Sequence, residues 1–357
     1  MPSAVIRTST INRYLKSKTE TVYRKSAFMA GLKGHGCQVF GAAKNAGLKL
    51  VWRPRIRRRK ITAINPYRVR HSFAAFNERI EAELEWRAYG LGEKIQKITR
   101  LLNGANETRT SNVVQEVMDN IMDDFTDDFG TKLYNNGHLN DGIHGLETPC
   151  AVTSTISNSV LGDPSGTYAG HSTALGDMGG DWTGDFPSGH GDHEYYAWSP
   201  FVYDYQNTGW SATTKTWTNT WLEVLLHSFA YVGRLHNRKP EFAIFDTDLV
   251  VEAKNHVLGS DRFQVTVNSP VVEAGFSTVK FDGVELIDEY AVPSGCGYAS
   301  YWKEIELRSL QNQLVGFMED KEIRTSEDLM ACDYYGNMRL TSPAFLIKYA
   351  AISDLST

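Results

Sequence analysis

The sequence predicts an α+β fold, and three patterns indicate it. Two stretches in which apolar and polar residues alternate, near 48–53 and 80–86, predict the strands of a long β-hairpin. An apolar stripe at helical spacing predicts one long amphipathic helix over residues 107–136. Helix and strand patterns then follow one another between residues 216 and 352, so the chain combines both kinds of element.

The charge of the chain is divided between two regions. Residues 1–70 contain 17 of the 37 Lys and Arg but only one of the 42 acidic residues, Glu20, so they carry about +16. The remaining residues carry about −21, although the net charge of the whole chain is only −5. A basic segment on an acidic body favours self-association, because the segment of one copy can lie on the body of another. Nucleic-acid binding is the alternative use of such a segment.

The composition is that of a globular protein of roughly two domains. Of the 357 residues, 41% are hydrophobic, the mean hydropathy is −0.35, and no apolar run approaches the ~18 residues of a membrane span. The first residues lack the apolar segment of a secretory signal, and a basic mitochondrial presequence is a minor alternative. The cysteines are far apart and form no C-x-x-C pair, which favours free thiols over a zinc site. They are Cys37, Cys150, Cys296 and Cys332.

The first hundred residues predict two extended structures. Residues 1–46 are polar, basic and glycine-rich without a sustained period, which predicts an N-terminal arm that becomes ordered by lying on another surface. In residues 47–95, Leu48, Leu50 and Trp52 fall on one face of the first alternating stretch. These residues predict an extended hairpin that projects from the body. It needs a partner surface, because an isolated hairpin is marginal in water.

The clearest helix covers residues 107–136. Its apolar side chains recur every four residues, at Val117, Ile121, Phe125, Phe129 and Leu133. Its opposite face is acidic, with Asp119, Asp123, Asp124, Asp127 and Asp128. About thirty residues at 1.5 Å each make a rod of roughly 45 Å, long enough to brace a domain.

The second half of the sequence alternates between loop, helix and strand. Residues 161–215 are rich in Gly, Asp, Ser and Thr and predict a loop or a large surface insertion. Helices are predicted at about 218–235 and 248–257, with strands at 241–245, 263–267, 278–288 and 301–310. The apolar stretch 344–352 predicts a final strand suited to a buried sheet.

One loop of the sequence contains a cluster of candidate metal ligands. They are His190, Asp192, His193 and Glu194, preceded by Asp177, Asp181 and Asp185. Zinc ligands need rigid support and a distant further ligand, whereas nearly every residue flanking this cluster is Gly or Ser. We interpret the segment as a solvated loop, with a weak Ca²⁺-type oxygen site as the alternative and a metal-dependent enzyme as the least favoured hypothesis.

Motifs for other chemistry are weak. Gly295-Cys296-Gly297 places a thiol between two glycines, which we interpret as a tight turn between strands rather than as a nucleophile. The sequence contains no Gly-x-Ser-x-Gly, and no phosphate loop or dinucleotide fingerprint occurs where a strand meets a helix. We therefore expect a protein that is not an enzyme, with no catalytic residue, cofactor or bound metal.

The most basic run of the chain is the candidate functional site. It consists of Arg53, Arg55, Arg57, Arg58, Arg59 and Lys60. As an intersubunit patch it would pair with carboxylates of a neighbouring copy, for which the guanidinium group is well shaped. As a nucleic-acid patch it would contact phosphates and bind with a strong salt dependence. We favour the interface, because the rest of the chain is acidic.

Several motifs appear in an order that is similar to a known family. Glu83-Leu-Glu-Trp86, followed by Leu102-Asn103-Gly104, looks like the return of an extended loop before a spine helix. Gly145-Leu-Glu-Thr-Pro149 comes after the long helix, and a strand pair spans residues 279–295. Met338-Arg-Leu-Thr-Ser-Pro343 precedes the last strand. In this order the motifs resemble the major capsid proteins of tailed double-stranded DNA bacteriophages, which have the HK97-type fold.

The resemblance implies a complete domain plan. It has an N-terminal arm (1–46), an extended hairpin or E-loop (47–95), and a peripheral domain (96–160) with its spine helix at 107–136. A Gly/Asp-rich loop or insertion (161–215), an axial domain (216–328) and a return to the peripheral domain (329–357) follow.

The implied function is a major capsid protein that assembles into pentamers and hexamers of an icosahedral shell around double-stranded DNA. Expected partners are copies of the chain itself, the packaged DNA bound without sequence specificity, and scaffolding, portal and decoration proteins, with no membrane. The expected location is the virion, assembled in the host cytoplasm. A nucleic-acid-binding protein that uses the basic arm is the alternative.

Overall fold

The structure is a computed structural model that describes most of the chain. The described residues are 26–58, 77–96, 107–139, 142–184, 189–257, 264–265, 271, 278–322 and 327–352. The helices within them are α1 (Ala27–Gly34), α2 (Glu107–Lys132), α3 (Trp217–His236) and α4 (Thr247–Val257).

Strands account for most of the remaining regular structure. In chain order they are β1 (Gln38–Phe40), β2 (Lys49–Trp52), β3 (Ala82–Glu85), β4 (Arg87–Gln96), β5 (Val152–Thr155), β6 (Gly162–Pro164), β7 (Thr167–Tyr168), β8 (His171–Ser172), β9 (Trp182–Thr183), β10 (His190–Gly191), β11 (Phe201–Asp204), β12 (Phe242–Phe245), β13 (Gln264–Val265), β14 (Thr278–Phe281), β15 (Val284–Asp288), β16 (Gly297–Ser300), β17 (Ile305–Ser309), β18 (Gly316–Glu322), β19 (Glu327–Leu340) and β20 (Ile347–Ala350). The predicted α+β class is confirmed.

A five-stranded sheet supports the long helix α2. Its order is β1-β17-β19-β18, and β4 pairs with residues 327–336 of β19, next to the part (336–340) that pairs with β17; only the β1–β17 pair is parallel. The apolar stripe of α2 packs on this sheet, where the rings of Phe129 and Tyr334 are 4.8 Å apart and Cys332 Sγ lies 3.6 Å from Met122 Sδ. The four-residue spacing in the sequence therefore predicted the buried face of α2 correctly.

A seven-stranded sheet forms the second half of the fold. Its order is β11-β20-β16-β12-β15-β14-β13. One face packs against α3 and α4, where Trp217 lies 5.3 Å from the ring of Phe245 and donates its indole N–H to the Leu249 carbonyl at 2.8 Å. The other face joins the larger core, where the rings of Phe242 and Trp302 are 3.9 Å apart. Because both faces are covered, every residue of β12 and β16 is buried.

The segment assigned to an extended arm differs from the sequence prediction where the structure describes it. Residues 26–46 contain α1, in which Phe28 and Leu32 have no exposed surface, and β1, which pairs with β17. Glu289, which is only 4% exposed, fixes the start of α1. It accepts a hydrogen bond from the Ser26 hydroxyl (2.5 Å) and another from the Phe28 N–H (2.8 Å). Residues 26–32 therefore lie in the core of their own chain.

The glycine-rich region also differs from a simple loop. Residues 152–191 form short antiparallel ribbons, β5–β6, β7–β8 and β9–β10. Downstream, Trp198 is 1% exposed, and β11 is a fully buried strand that pairs in parallel with β20. Residues 161–215 thus contribute to the core as well as to the surface.

The strands of the two sheets are distributed differently from the predicted domain plan. β17 and β18 fall within 216–328, the predicted axial segment, but they pair with β19 in the sheet that supports α2. β20 falls within 329–357, the predicted return to the peripheral domain, but it lies between β11 and β16 in the sheet that carries α3 and α4. Pairing over long sequence separations decides these positions, and local patterns do not encode it.

All four cysteines are buried as thiols. Burial is the main cause that raises the pKa of the Cys37 thiol to about 11 and that of Cys332 to about 12. Among the described helices, none combines the length and apolar character that a bilayer span requires.

Candidate intersubunit interface at the hairpin root

The predicted hairpin begins as two paired strands that lie on the body. β2 and β3 are antiparallel, and the described part ends with a bridge between Arg55 and Arg79. We call residues 49–58 and 77–85 the hairpin root. Its inner face holds Leu50 (4% exposed) and Trp52 (8%), and the Trp52 indole N–H donates to the Thr341 carbonyl at 3.0 Å. Residues 59–76, where the predicted hairpin continues, lie outside the described residues.

Ion pairs between the two strands cover the outer face of the root. Arg53 contacts Glu81, with its Nε 2.9 Å and its Nη2 2.5 Å from the same carboxylate oxygen. Arg55 lies 3.1 Å from Glu78, and Lys49 lies 3.2 Å from Glu83. Arg53 and Arg55 therefore already form ion pairs within their own chain. These pairs are largely exposed, so each stabilises the fold only slightly.

The next two arginines are placed differently. Arg58 is exposed, and its guanidinium has no hydrogen-bond or ion-pair partner among the described residues. Only its backbone N–H is bound, to Glu194 Oε1 at 3.1 Å. Arg57 is half-buried beside Gly179. Arg59 and Lys60 lie outside the described residues. The predicted patch thus divides into a paired part and an available part, and its role between subunits stays a prediction.

Two clefts flank the root. One has a volume of about 270 Å³ and is lined by Arg55, Arg58, His193, Ala197, His236, Ser342, Ala344 and Phe345. The other is more open, about 520 Å³, and is lined by Arg53, Asn77, Arg79, Ile80, Glu81 and His171. In the open cleft the Arg79 guanidinium donates to the Arg53 carbonyl (3.1 Å), and His171 Nε2 lies 2.7 Å from the Glu81 carbonyl. The root therefore presents positive charge on both sides.

The candidate metal ligands are dispersed into structural contacts. Asp192 Oδ1 accepts the N–H groups of Glu194 (3.0 Å) and Tyr195 (2.9 Å), which closes a turn. His190 lies in β10, paired with Thr183 of β9, while His193 faces the smaller cleft. Asp185 is outside the described residues. In the part of the chain that the structure describes, no three His, Cys, Asp or Glu are grouped to hold a metal ion.

The Gly295-Cys296-Gly297 segment forms the turn before β16. Gly295 has φ +71°, in the left-handed region that glycine adopts readily, and its N–H donates to Asp246 Oδ2 at 3.0 Å. The Cys296 N–H donates to the Pro293 carbonyl at 3.0 Å, and its side chain is 8% exposed. The segment therefore has the geometry of a tight turn.

Sequence reasoning missed the acidic partners of the basic run. Glu78 and Glu81 lie some 25 residues downstream of the arginines that they bind, and Glu194 lies farther still. The first two follow from the hairpin register, because the β2–β3 pairing places residue 53 opposite residue 81. No comparable signal links Glu194 to Arg58.

With a five-stranded sheet that supports α2, a seven-stranded sheet and a paired hairpin root among its described residues, the chain has the HK97-like fold of phage capsid proteins. The capsid of a native GTA particle is similar to this chain along 90% of each chain's length, with a TM-score of 0.53 and 11% identity. The capsid of Cyanophage A-1(L) matches over 88% of this chain and 90% of its own, with a TM-score of 0.51 and 11% identity. The capsid of an empty GTA particle matches over 88% and 94%, with a TM-score of 0.51 and 9% identity.

The likeness lies in the fold and not in the sequence. No protein-family model matches the chain, and no curated protein matches it.

Proposed function

We propose that this chain is a major capsid protein, the repeating subunit of an icosahedral shell that encloses double-stranded DNA. The observation that carries the proposal is the HK97-like fold, which matches capsid chains over about nine-tenths of both lengths. Pentamers and hexamers are the arrangement that we propose for the shell. The role is structural and not enzymatic, and the place of action is the virion, assembled in the host cytoplasm.

The mechanism that we propose is the burial of the hairpin on a neighbouring copy. The root and the residue before it expose apolar surface: Val51 is 49% exposed, and Leu48 is 97% exposed. Arg57 and Arg58 add positive charge that can meet the acidic remainder of a second copy. Each contact is weak, but one subunit repeats such contacts with several neighbours, so the assembled lattice is cooperative.

The other partners follow from the charge balance. Beyond residue 70 the chain carries about −21, so contacts with the packaged DNA are expected to be weak and independent of sequence. Scaffolding, portal and decoration proteins are further expected partners of the shell.

The size of the expressed full-length chain tests the proposal. We expect closed particles by negative-stain electron microscopy and rapid sedimentation. The double variant Arg57→Glu/Arg58→Glu should remain folded by circular dichroism but lose at least nine-tenths of the particles. Lys44→Glu/Lys303→Glu is the matched control, because it reverses two exposed cations outside the root and changes the net charge equally.

Two results would contradict the proposal. A wild-type chain that stays a monomer or dimer at high concentration, and binds duplex DNA with a steep salt dependence, would favour the nucleic-acid alternative. Loss of particles in the control variant to the same extent would show that net charge, and not the hairpin root, drives assembly.

A further inference from the structure

The smaller of the two clefts, defined above by its eight lining residues, is built by four separate segments. Arg55 and Arg58 come from the hairpin root, His193 from the loop after β10, His236 from the last turn of α3, and Phe345 from the turn before β20. Distant parts of the chain thus bring two guanidinium groups and two imidazoles to one opening of about 270 Å³.

The two guanidinium groups of the cleft differ in how they are paired with neighbouring acids. The Nε of Arg55 is used by Glu78 (3.1 Å) and by the Arg57 carbonyl (3.2 Å). The Arg58 guanidinium has no partner among the described residues, because Glu194 binds only the backbone N–H of Arg58. Asp192 is committed to the turn at Glu194. Among the described residues, the Arg58 guanidinium therefore faces the cleft without a direct ion-pair partner, although the Glu194 carboxylate lies close by.

The imidazole rings of His193 and His236 lie edge to face in the wall of the cleft, with ring centroids 6.2 Å apart. His236 Nε2 lies 2.9 Å from the Ala344 carbonyl, so that nitrogen is the protonated one and Nδ1 keeps its lone pair. Burial is the main cause that lowers the pKa of His236 to about 4, and His193, Arg238 and Arg58 lower it further by charge. The pKa of His193 is lowered by burial and then by Arg58, while Asp192 and Glu194 oppose the shift.

We propose that this cleft is a binding site for a phosphate group, held by the guanidinium groups of Arg58 and Arg55, with His193 and His236 in the wall of the site. Guanidinium forks match phosphate oxygens well. The phosphate comes either from free inorganic phosphate or from the backbone of a nucleic acid. The site shares Arg58 with the proposed intersubunit contact, but neither source of phosphate requires a shell.

Binding of an anion has a predictable effect on the imidazoles. A negative charge beside His193 and His236 offsets the repulsion from Arg58 and stabilises their protonated forms, so affinity increases as the pH falls.

Isothermal titration calorimetry with the full-length chain tests the site. Inorganic phosphate at low, fixed ionic strength should bind with a dissociation constant on the order of 1 mM. Arg58→Ala should weaken binding at least tenfold. Arg79→Ala is the matched control, because Arg79 belongs to the same root but lines the other cleft, and it should change affinity less than twofold.

Sulfate provides the pH test, because it stays a dianion between pH 5.5 and 7.5 while phosphate titrates. The affinity of the protein for sulfate should rise several-fold as the pH falls from 7.5 to 5.5, and the rise should be smaller in His193→Gln. A short DNA duplex distinguishes the two sources. If the wild type binds the duplex but not free phosphate, and Arg58→Ala loses duplex binding, the phosphate is that of a nucleic acid. Binding of neither ligand, or equal losses in Arg58→Ala and Arg79→Ala, would overturn the proposal.

Discussion

The helix α1 and the hairpin root belong to the same basic stretch of the chain, but they use it in opposite ways. Six residues of α1 are buried, and Phe28 contacts the rings of Tyr134, Phe242 and Trp302 at centroid distances between 5.8 and 6.1 Å. The root buries one face only and leaves its other face to ion pairs and solvent. Positive charge therefore does not by itself mark a segment that reaches outward.

The difference also indicates where a change should act. Substitutions in α1 should alter the stability of the single subunit, because its contacts are internal. Substitutions on the outer face of the root should leave the subunit folded and affect only what the subunit binds. The following experiments separate these two outcomes.

The largest expected effect is on the free energy of unfolding in Phe28→Ala. The side chain has no exposed surface, so its removal leaves a cavity and should cost about 3–5 kcal/mol. Urea unfolding followed by tryptophan fluorescence measures the loss. Val51→Ala in the root is the control, because Val51 is 49% exposed and should lose less than about 0.5 kcal/mol. Equal losses in the two variants would contradict the comparison.

A smaller effect is expected from the carboxyl that holds α1. Burial is the main cause that raises the pKa of Glu289 from 4.5 to about 7, although the hydrogen bonds from Ser26 and Phe28 oppose the shift. The folded state therefore binds the proton more tightly than the unfolded state. This contribution to stability is fully present below about pH 4.5 and is lost as the pH rises through about 7, on the order of 2–3 kcal/mol.

Glu289→Gln removes the titration but keeps the size of the side chain. The free energy of unfolding of this variant should fall less between pH 5 and pH 8 than that of the wild type. Ser26→Ala, which keeps the carboxyl, serves as the control and should retain the pH dependence. An identical pH dependence in the wild type and Glu289→Gln would show that this carboxyl does not titrate in that range.

The smallest effect is expected at the outer face of the root. Arg53→Ala removes an ion pair in which the two side chains are 69% and 56% exposed, and such pairs contribute roughly 0.2–1 kcal/mol. Thermal unfolding at low and at 1 M salt measures the contribution, which should shrink when salt screens the pair. A loss above about 2 kcal/mol would mean that the root is as much a part of the core as α1.

The elements that follow from local pattern were predicted well. The stripe of α2 repeats every four residues because that helix is buried on one face only. The predicted helices at about 218–235 and 248–257 and the strand at 241–245 agree with α3, α4 and β12 within a few residues. In each case the pattern is local. A helix that is buried on one side repeats its apolar residues at helical spacing, and a buried strand is a short apolar run.

The elements that were missed have no such period. α1 reads Ala-Phe-Met-Ala-Gly-Leu and is buried all round, so no polar face marks it as a helix. Gly31 is required there by a close approach, since a Cβ at that position would lie 2.0 Å from the Trp302 ring. In the sequence, Gly31 contributed to the prediction of an extended arm, whereas in the structure it allows close packing against Trp302. β11 is likewise buried on both faces, so no alternation of apolar and polar residues marks it as a strand.

The candidate site was predicted only in part. Its basic residues stand out in the sequence, but the sequence alone does not show which of them are already neutralised. The hairpin register supplies Glu81 for Arg53, whereas the position of Glu194 near Arg58 depends on a contact across 136 residues. The two histidines of the smaller cleft, His193 and His236, are joined by tertiary packing alone.

The burial of all four cysteines has a practical consequence for labelling this protein. Thiol reagents attack the thiolate, and a raised pKa together with burial keeps Cys37 and Cys332 protonated and out of reach at neutral pH. A single cysteine introduced at Leu48, which is 97% exposed, would then be the reactive position of the folded chain. Fluorophores or spin labels attached there would report directly on what approaches the protein at that point.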